Sequence, residues 1–239
     1  NGLFYDFNPV FTKDGEFIIF TSNRRFNPTF CDMEWEMVYQ KVSGIYAISL
    51  RKNGRSILPF KSDEENLAGE SSATVSPVTV RIDFQGIADR TEALPLKNGN
   101  YRNLSVNKST LYYLNSDEGN FNRFEVGEHG PMTLYSYSFD NKKETPVVED
   151  IDSYELSYDG ESIIYLKEKS VSIMASSGGE GKPLNLSELK VWYEPLREWK
   201  QIFNEAWRME RDYYYEPNMH GLDWNFIKQK YGKLADRAS

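Results

Sequence analysis

Groups that could hold a metal, take a proton or attack a carbonyl are few in this sequence. Histidine occurs twice, at His129 and His220, and neither has a second His or a Cys at metal-ligand spacing. A zinc centre would therefore need mainly carboxylates, and no metal site is expected. The single cysteine, Cys31, excludes an internal disulfide. No Gly-x-Ser-x-Gly elbow, the usual sign of a serine nucleophile on an α/β sheet, is present. The stretch SSGGEGKPL looks like a phosphate loop, but Ser176 stands where the first glycine belongs and Pro183 where the metal-binding Ser or Thr belongs. It reads as a turn.

His220, in NMHGLDW, could act as a general base; a ring packed on its neighbours or capping a helix end is the favoured reading. His129, between Glu128 and Gly130, reads as a loop residue. Arg24 and Arg25 could recognise a carboxylate, weighed against a solvated pair on a loop. Asn103, Asn107 and Asn185 each satisfy Asn-x-Ser, a pattern short enough to arise by chance. Acidic residues are scattered at every turn, so no glycosidase pair stands out. By residue chemistry alone nothing assembles a nucleophile, a base and an oxyanion hole, so no catalytic, cofactor-binding or metal-binding residue is assigned.

The elements around these residues are mostly strands. FTKDGEFIIF (11–20), LSVNKSTLYY (104–113) and LSYDGESIIY (156–165) each read as strand, tight turn, strand. Asp14-Gly15 and Asp159-Gly160 supply the turn backbone of the first and third, and Asn107-Lys108 takes the same place in the second. Further strand candidates follow: GIYAISL, SILPF, VTVRIDFQGI with its alternating Val80, Ile82 and Phe84, RTEALPL, MTLYSYSFD and ETPVVED. The second and third repeats start 52 residues apart. Four strands in a period near 40–50 residues describe propeller blades. Two polar insertions, at about 26–43 and 61–77, stretch the first spacing; they are expected to line a face or restrict a channel, with disorder favoured for the second.

Past about residue 185 the periodicity changes. Pro195 suits the first turn of a helix of roughly four turns, with Trp199, Ile202, Phe203, Ala206 and Trp207 on one face. Asp223 is placed to cap a second helix striped by Trp224, Ile227, Tyr231 and Leu234. The aromatic residues from Trp192 to Trp224 could stack a ligand, but their spacing suggests interior packing. The chain thus divides into an all-β region, 1–188, of about three blades and a helical region, 189–239.

The overall charge of −8 argues against a nucleic-acid surface, and no apolar run approaches the roughly 20 residues of a membrane helix. The aromatic share of 15% favours strands. The chain opens in strand-like sequence without an initiating Met or an export signal, so it is expected to be a piece of a longer polypeptide.

Several longer stretches are recognisable together: NPVFTKDGEFIIFTSNRRFNP, VRIDFQGIADRTEALPLKNGNYRNL, YELSYDGESIIY and EPLREWKQIFNEAWRMERDYYYEPNMHGLDWNFIKQKYGKL. Nearly the whole chain resembles the tricorn-like serine peptidases, most specifically from Glu194 to Leu234. The resemblance implies the last blades of a second β-propeller in 1–188, followed by the helical start of the first core domain. It also implies that the catalytic Ser-His pair and nucleophile, with a PDZ domain between, lie beyond Ser239. His220 matches a Met-His-Gly element rather than the catalytic pair, so no catalytic role carries over. The parent is expected to hydrolyse peptides without a metal or organic cofactor, the propeller forming an access channel and scaffold within a homo-oligomer. Its expected partners are peptide substrates and the PDZ and catalytic core domains of the same polypeptide, with no nucleic acid or membrane. The alternative is a stand-alone propeller that binds a peptide or protein; a downstream Ser-His pair, PDZ domain and nucleophile in the parent gene would decide between them.

Overall fold

The computed structural model describes residues 3–31, 36–39, 41–59, 78–116 and 132–235. It separates into two compact units, Asn1–Leu184 and Asn185–Ser239. The first is mainly β and consists of three four-stranded antiparallel sheets that do not close a ring.

The first sheet joins β1 (Asp6–Phe11), β2 (Phe17–Ser22), β5 (Gly44–Ser49) and β6 (Thr91–Ala93) in that order, with β3 (Pro28–Cys31) and β4 (Glu36–Tyr39) forming a separate hairpin. The second runs β7 (Asn100–Val106), β8 (Thr110–Ser116), β9 (Met132–Ser138), β10 (Lys143–Ile151). The third runs β11 (Ser153–Leu156), β12 (Ser162–Lys167), β13 (Ser170–Ala175), β14 (Lys182–Pro183). Each repeat of the sequence is thus the first hairpin of a four-stranded meander, the blade pattern expected.

The middle sheet has a core on each face, and its β8 shows how. Leu111 and Tyr113 pack into one cluster with Phe17, Ile19, Ile45 and Leu94 of the first sheet. Tyr112 and Leu114, one residue out of step, pack into another with Tyr154, Ile163 and Met174 of the third. Successive side chains of a strand point to opposite faces, so a strand buried on both reads as an unbroken apolar run.

The turns of the first and third repeats are chemically the same. Thr12 and Asp14 do in one what Ser157 and Asp159 do in the other: the hydroxyl donates to the Asp carboxylate, which accepts the amide two residues on, at Glu16 or Glu161. The hydroxyl oxygen in turn accepts from the amide of Phe17 or Ser162. Gly15 and Gly160 then take left-handed backbone, φ +67 and +79. The second turn is shorter. Phe11 pairs with Ile18 and Leu156 with Ile163, whereas Val106 pairs with Leu111. Asn107 therefore corresponds to Thr12 and Ser157 rather than to Asp14, and its Oδ1 accepts from Ser109 and Thr110.

Two expected strands are absent from the described residues. SILPF (described through Pro59) and VTVRIDFQGI form no ladder; β5 pairs directly with β6. The alternation of Val80 and Phe84 selects no buried face, since Phe84 is 75% exposed. That segment is held instead by side-chain and loop bonds: Asp83 donates its amide to Leu50 and accepts from the Lys52 amide, and Arg90 donates to the carbonyls of Ser49, Asp83 and Gln85. The first insertion forms the β3–β4 hairpin, with Phe26 against Tyr39 at its base, centroids 5.8 Å apart. The second, 61–77, lies outside the described residues.

The second unit pairs α1 (Pro195–Tyr213) with α2 (Trp224–Ala235). Pro at the first position starts α1, which runs 19 residues, about a turn longer than expected. Asp223 caps α2 as expected, its Oδ1 accepting the Phe226 amide at 2.9 Å. The helices meet through Trp207 and Trp224, stacked with centroids 6.3 Å apart. Each indole N–H donates to the other's backbone carbonyl, at 2.9 and 3.0 Å.

Candidate functional site

Among the described residues no three His, Cys, Asp or Glu side chains come together as a metal site, and no helix is long and apolar enough to cross a membrane. His129 lies outside the described residues. His220 sits in a tight left-handed turn: Met219, His220 and Gly221 all have positive φ. Its ring is edge-on to Tyr214 and Tyr215, and its Nε2 shares a hydrogen bond with the Tyr215 hydroxyl. His220 is exposed, and among the described residues the partner of its ring nitrogen is that hydroxyl.

Of the helical stripe only Trp207 is buried; Ile202 is 57% exposed and Trp192 99%. By itself, then, this unit does not enclose the aromatic residues from Trp192 to Trp224. Two helices have too little facing surface to enclose so many large side chains. What they do share is Trp207, whose ring also lies 4.4 Å from the Lys228 ammonium and 5.1 Å from the Arg211 guanidinium.

Arg24 and Arg25 are not a solvated loop pair: both pack over Tyr46, and Arg24 already has a carboxylate partner in its own sheet. Arg24 donates to Asp6 at 2.9 Å and to Ser22 at 2.7 Å, and its guanidinium lies over the Phe20 and Tyr46 rings. Arg25 packs over Tyr46, with its Nε enclosed and unbonded. Burial pushes the Asp6 carboxyl up, but hydrogen bonds from Ser22 and Arg24 and the charge of Arg24 outweigh it and hold the group below its ordinary value. A folded pKa below the unfolded value of about 3.9 gives stability that is complete above that pH and lost as pH falls through the folded value. Asp6→Asn should accordingly lower stability near neutrality and flatten the acid limb below about pH 4, read from unfolding midpoints across pH. An acid limb identical to that of the parent would exclude this pair as a contributor.

The Asn-x-Ser positions differ among themselves. Asn103 adopts φ +50 at a bulge in β7, and its side chain donates to the Tyr154 carbonyl at 2.8 Å while the Tyr154 hydroxyl donates back to the Asn103 carbonyl at 2.6 Å. Asn107 donates to Gly160 of the third sheet at 3.3 Å. Both amides tie the second sheet to the third, which leaves them poorly placed for a glycan. Asn185, exposed, closes an Asx turn onto the Ser187 amide.

Short-range pattern could not reveal these inter-sheet ties, because the partners lie 51 and 53 residues apart. A further tie joins the first repeat to the third: Lys13 donates to the Tyr158 carbonyl at 2.9 Å. Within the second sheet, Tyr113 stands edge-on to Tyr101 and donates to the Glu144 carboxylate. Burial and the adjacent carboxylate together push the Tyr113 hydroxyl far above its usual pKa, so it stays a neutral donor. In the first unit, side-chain amides, a tyrosine hydroxyl and the Lys13 ammonium thus donate from one sheet to the next.

Two family models match the chain in succession: the tricorn protease second beta propeller domain over residues 1–177 and the tricorn protease C1 domain over 185–239. A tricorn-like protease C-terminal subunit of Sulfurisphaera tokodaii is 28% identical over 98% of this chain, which covers 27% of that protein. Tricorn protease homolog 1 of Streptomyces coelicolor is 27% identical over 99% of the chain, covering 24% of the homolog. A crystal structure of the tricorn protease superposes on the whole chain with a TM-score of 0.77 at 17% identity, and the chain covers 23% of it. The chain therefore spans about a quarter of the length of these relatives.

Proposed function

The chain belongs to the tricorn protease family, and on that premise we propose that it is the non-catalytic wall of a serine peptidase that hydrolyses peptides. The observation that carries this reading is the order of the two matches on one chain, propeller sheets first and the opening helices of a core domain immediately after. In this reading 1–188 are blades of a larger propeller that bounds a substrate channel, and 189–239 begin the core domain. Cleavage belongs to other parts of the polypeptide, where a serine activated by histidine attacks the peptide carbonyl and backbone donors hold the oxyanion. Assembly of several subunits is part of the same reading.

The outer face of the first sheet supports a larger propeller. A cavity of about 640 Å³ there is lined mainly by apolar side chains, among them Leu3, Phe4, Ile18 and Ile48, with the Arg24–Asp6 pair in its wall, a surface of the kind a neighbouring blade covers. The joined sheets give the stiffness a channel wall requires.

Fluorogenic peptides should be hydrolysed by the longer polypeptide and not above background by this chain alone. Turnover by the isolated chain that a serine-directed inhibitor abolishes would overturn the division of labour.

A further inference from the structure

Lys-Asn-Gly occurs twice in this sequence, at 52–54 and at 97–99. Asparagine is a thermolabile side chain, and a glycine after it removes the Cβ that would hinder the main-chain nitrogen from approaching the side-chain carbonyl. The two copies share that local chemistry. What differs is how the fold holds them. A third Asn-Gly pair, Asn1-Gly2, lies outside the described residues.

The second copy is pinned on both sides. Gly99 is buried, its amide donates to the Ser43 carbonyl at 3.1 Å, and its carbonyl accepts the Ser43 amide at 3.3 Å. The Lys97 carbonyl accepts from the Tyr101 hydroxyl at 2.6 Å, and the Asn100 amide donates to the Asn115 side chain at 2.9 Å. Turning the Gly99 nitrogen toward Asn98 breaks this bridge. The first copy is open. Arg51, Lys52, Asn53, Gly54 and Arg55 are all exposed, and among the described residues the Asn53 side chain has no hydrogen-bond partner. The Gly54 amide donates to the Arg51 carbonyl at 3.1 Å, a bond within one exposed turn that can open without disturbing a strand.

We propose that Asn53 is a self-modification site, at which the Gly54 nitrogen gives up its proton and bonds to Cγ of Asn53 while the side-chain nitrogen leaves as ammonia. Water then opens the resulting cyclic imide at one of its two carbonyls. One opening gives aspartate; the other gives isoaspartate, with the main chain rerouted through the side chain. Water is the only co-reactant. The consequence reaches beyond the loop, because Lys52, beside the altered link, donates its amide to the Asp83 carboxylate at 3.0 Å, and the Asp83 amide donates to Leu50 at 2.9 Å. These are two of the bonds that hold the segment around Asp83 to the loop after β5. An extra main-chain carbon at position 53 loosens that hold. None of this rests on the peptidase reading.

The test keeps the full chain in mildly alkaline buffer, folded and in denaturant, and follows the mass of each Lys-Asn-Gly peptide after digestion. In folded protein Asn53 should take on the amide-to-acid mass change at least about tenfold faster than Asn98, since the buried bridge must open before Asn98 can react. In denaturant the two rates should agree within about threefold, because the local sequence is shared. Asn53→Gln should abolish the change in its own peptide and leave Asn98 as in the parent. In the isolated isoaspartyl form the Lys52 and Asp83 amides should exchange with solvent at least about fivefold faster, with Ser43 and Gly99 unaltered. Equal rates at Asn53 and Asn98 in folded protein would overturn the proposal. So would no conversion of Asn53 over the time in which the denatured chain converts. Unaltered exchange at Lys52 and Asp83 in the isoaspartyl form would overturn its reach to the segment around Asp83.

Discussion

Leu111→Ala should lower the thermal midpoint of the β unit by about 5–15 °C, corresponding to a loss of about 2–5 kcal/mol. Leu111 has no exposed surface and sits where β2 and β5 of the first sheet meet β8 of the second. Truncation removes the apolar transfer energy of the side chain and leaves a void that sheets tied on both sides cannot collapse into. The ties themselves, Asn103 with Tyr154 and Lys13 with Tyr158, resist the relaxation that would shrink the void. Leu111→Met, close in volume, should cost less than about 1.5 kcal/mol. A shift below about 2 °C for the alanine variant, measured by calorimetry, would mean that the first two sheets do not share this core.

Trp207→Ala should largely remove the helical signal of the second unit, with a local loss of about 3–5 kcal/mol. Trp207 and Met219 are the buried hydrophobic residues among the described residues of that unit, and Trp207 also carries one of the two reciprocal indole-to-carbonyl bonds joining the helices. With the ring gone, the Trp224 stack and the Lys228 and Arg211 contacts go with it. Amphipathic helices draw most of their stability from packing of the apolar face, which this variant removes. Trp207→Phe should retain much of the stack and lose the N–H bond, at a cost of about 1–3 kcal/mol. Backbone amide exchange resolved to residues 195–235 measures both. Protection in Trp207→Ala equal to that of the parent would show that other contacts hold the pair.

The reach of the sequence can be judged turn by turn. Thr12-Lys13-Asp14-Gly15 and Ser157-Tyr158-Asp159-Gly160 announce their turns because all the bonds that make them lie within six residues. Asn107 was legible as a turn residue but not in its register, since a turn two residues shorter can be recognised only when the flanking strands are paired. VTVRIDFQGI has the alternation of a strand and is none, because β6 already occupies the edge of β5 that it would need. Arg24 looked free in the sequence; its carboxylate, Asp6, stands opposite Ser22 across the β1–β2 ladder.

By itself the sequence determined the mainly β character of residues up to about 185, the three repeats, the start of α1 at Pro195 and the Asp223 cap, because these rest on local backbone preference and on side-chain period. It also carried the resemblance that the matched domains bear out. Only the tertiary structure decided which face each strand of the middle sheet presents to which core, and which amides and hydroxyls join one sheet to the next. Those outcomes depend on residues brought together across 50 to 145 positions, and such meetings follow from the packing of whole sheets rather than from any pattern within one of them.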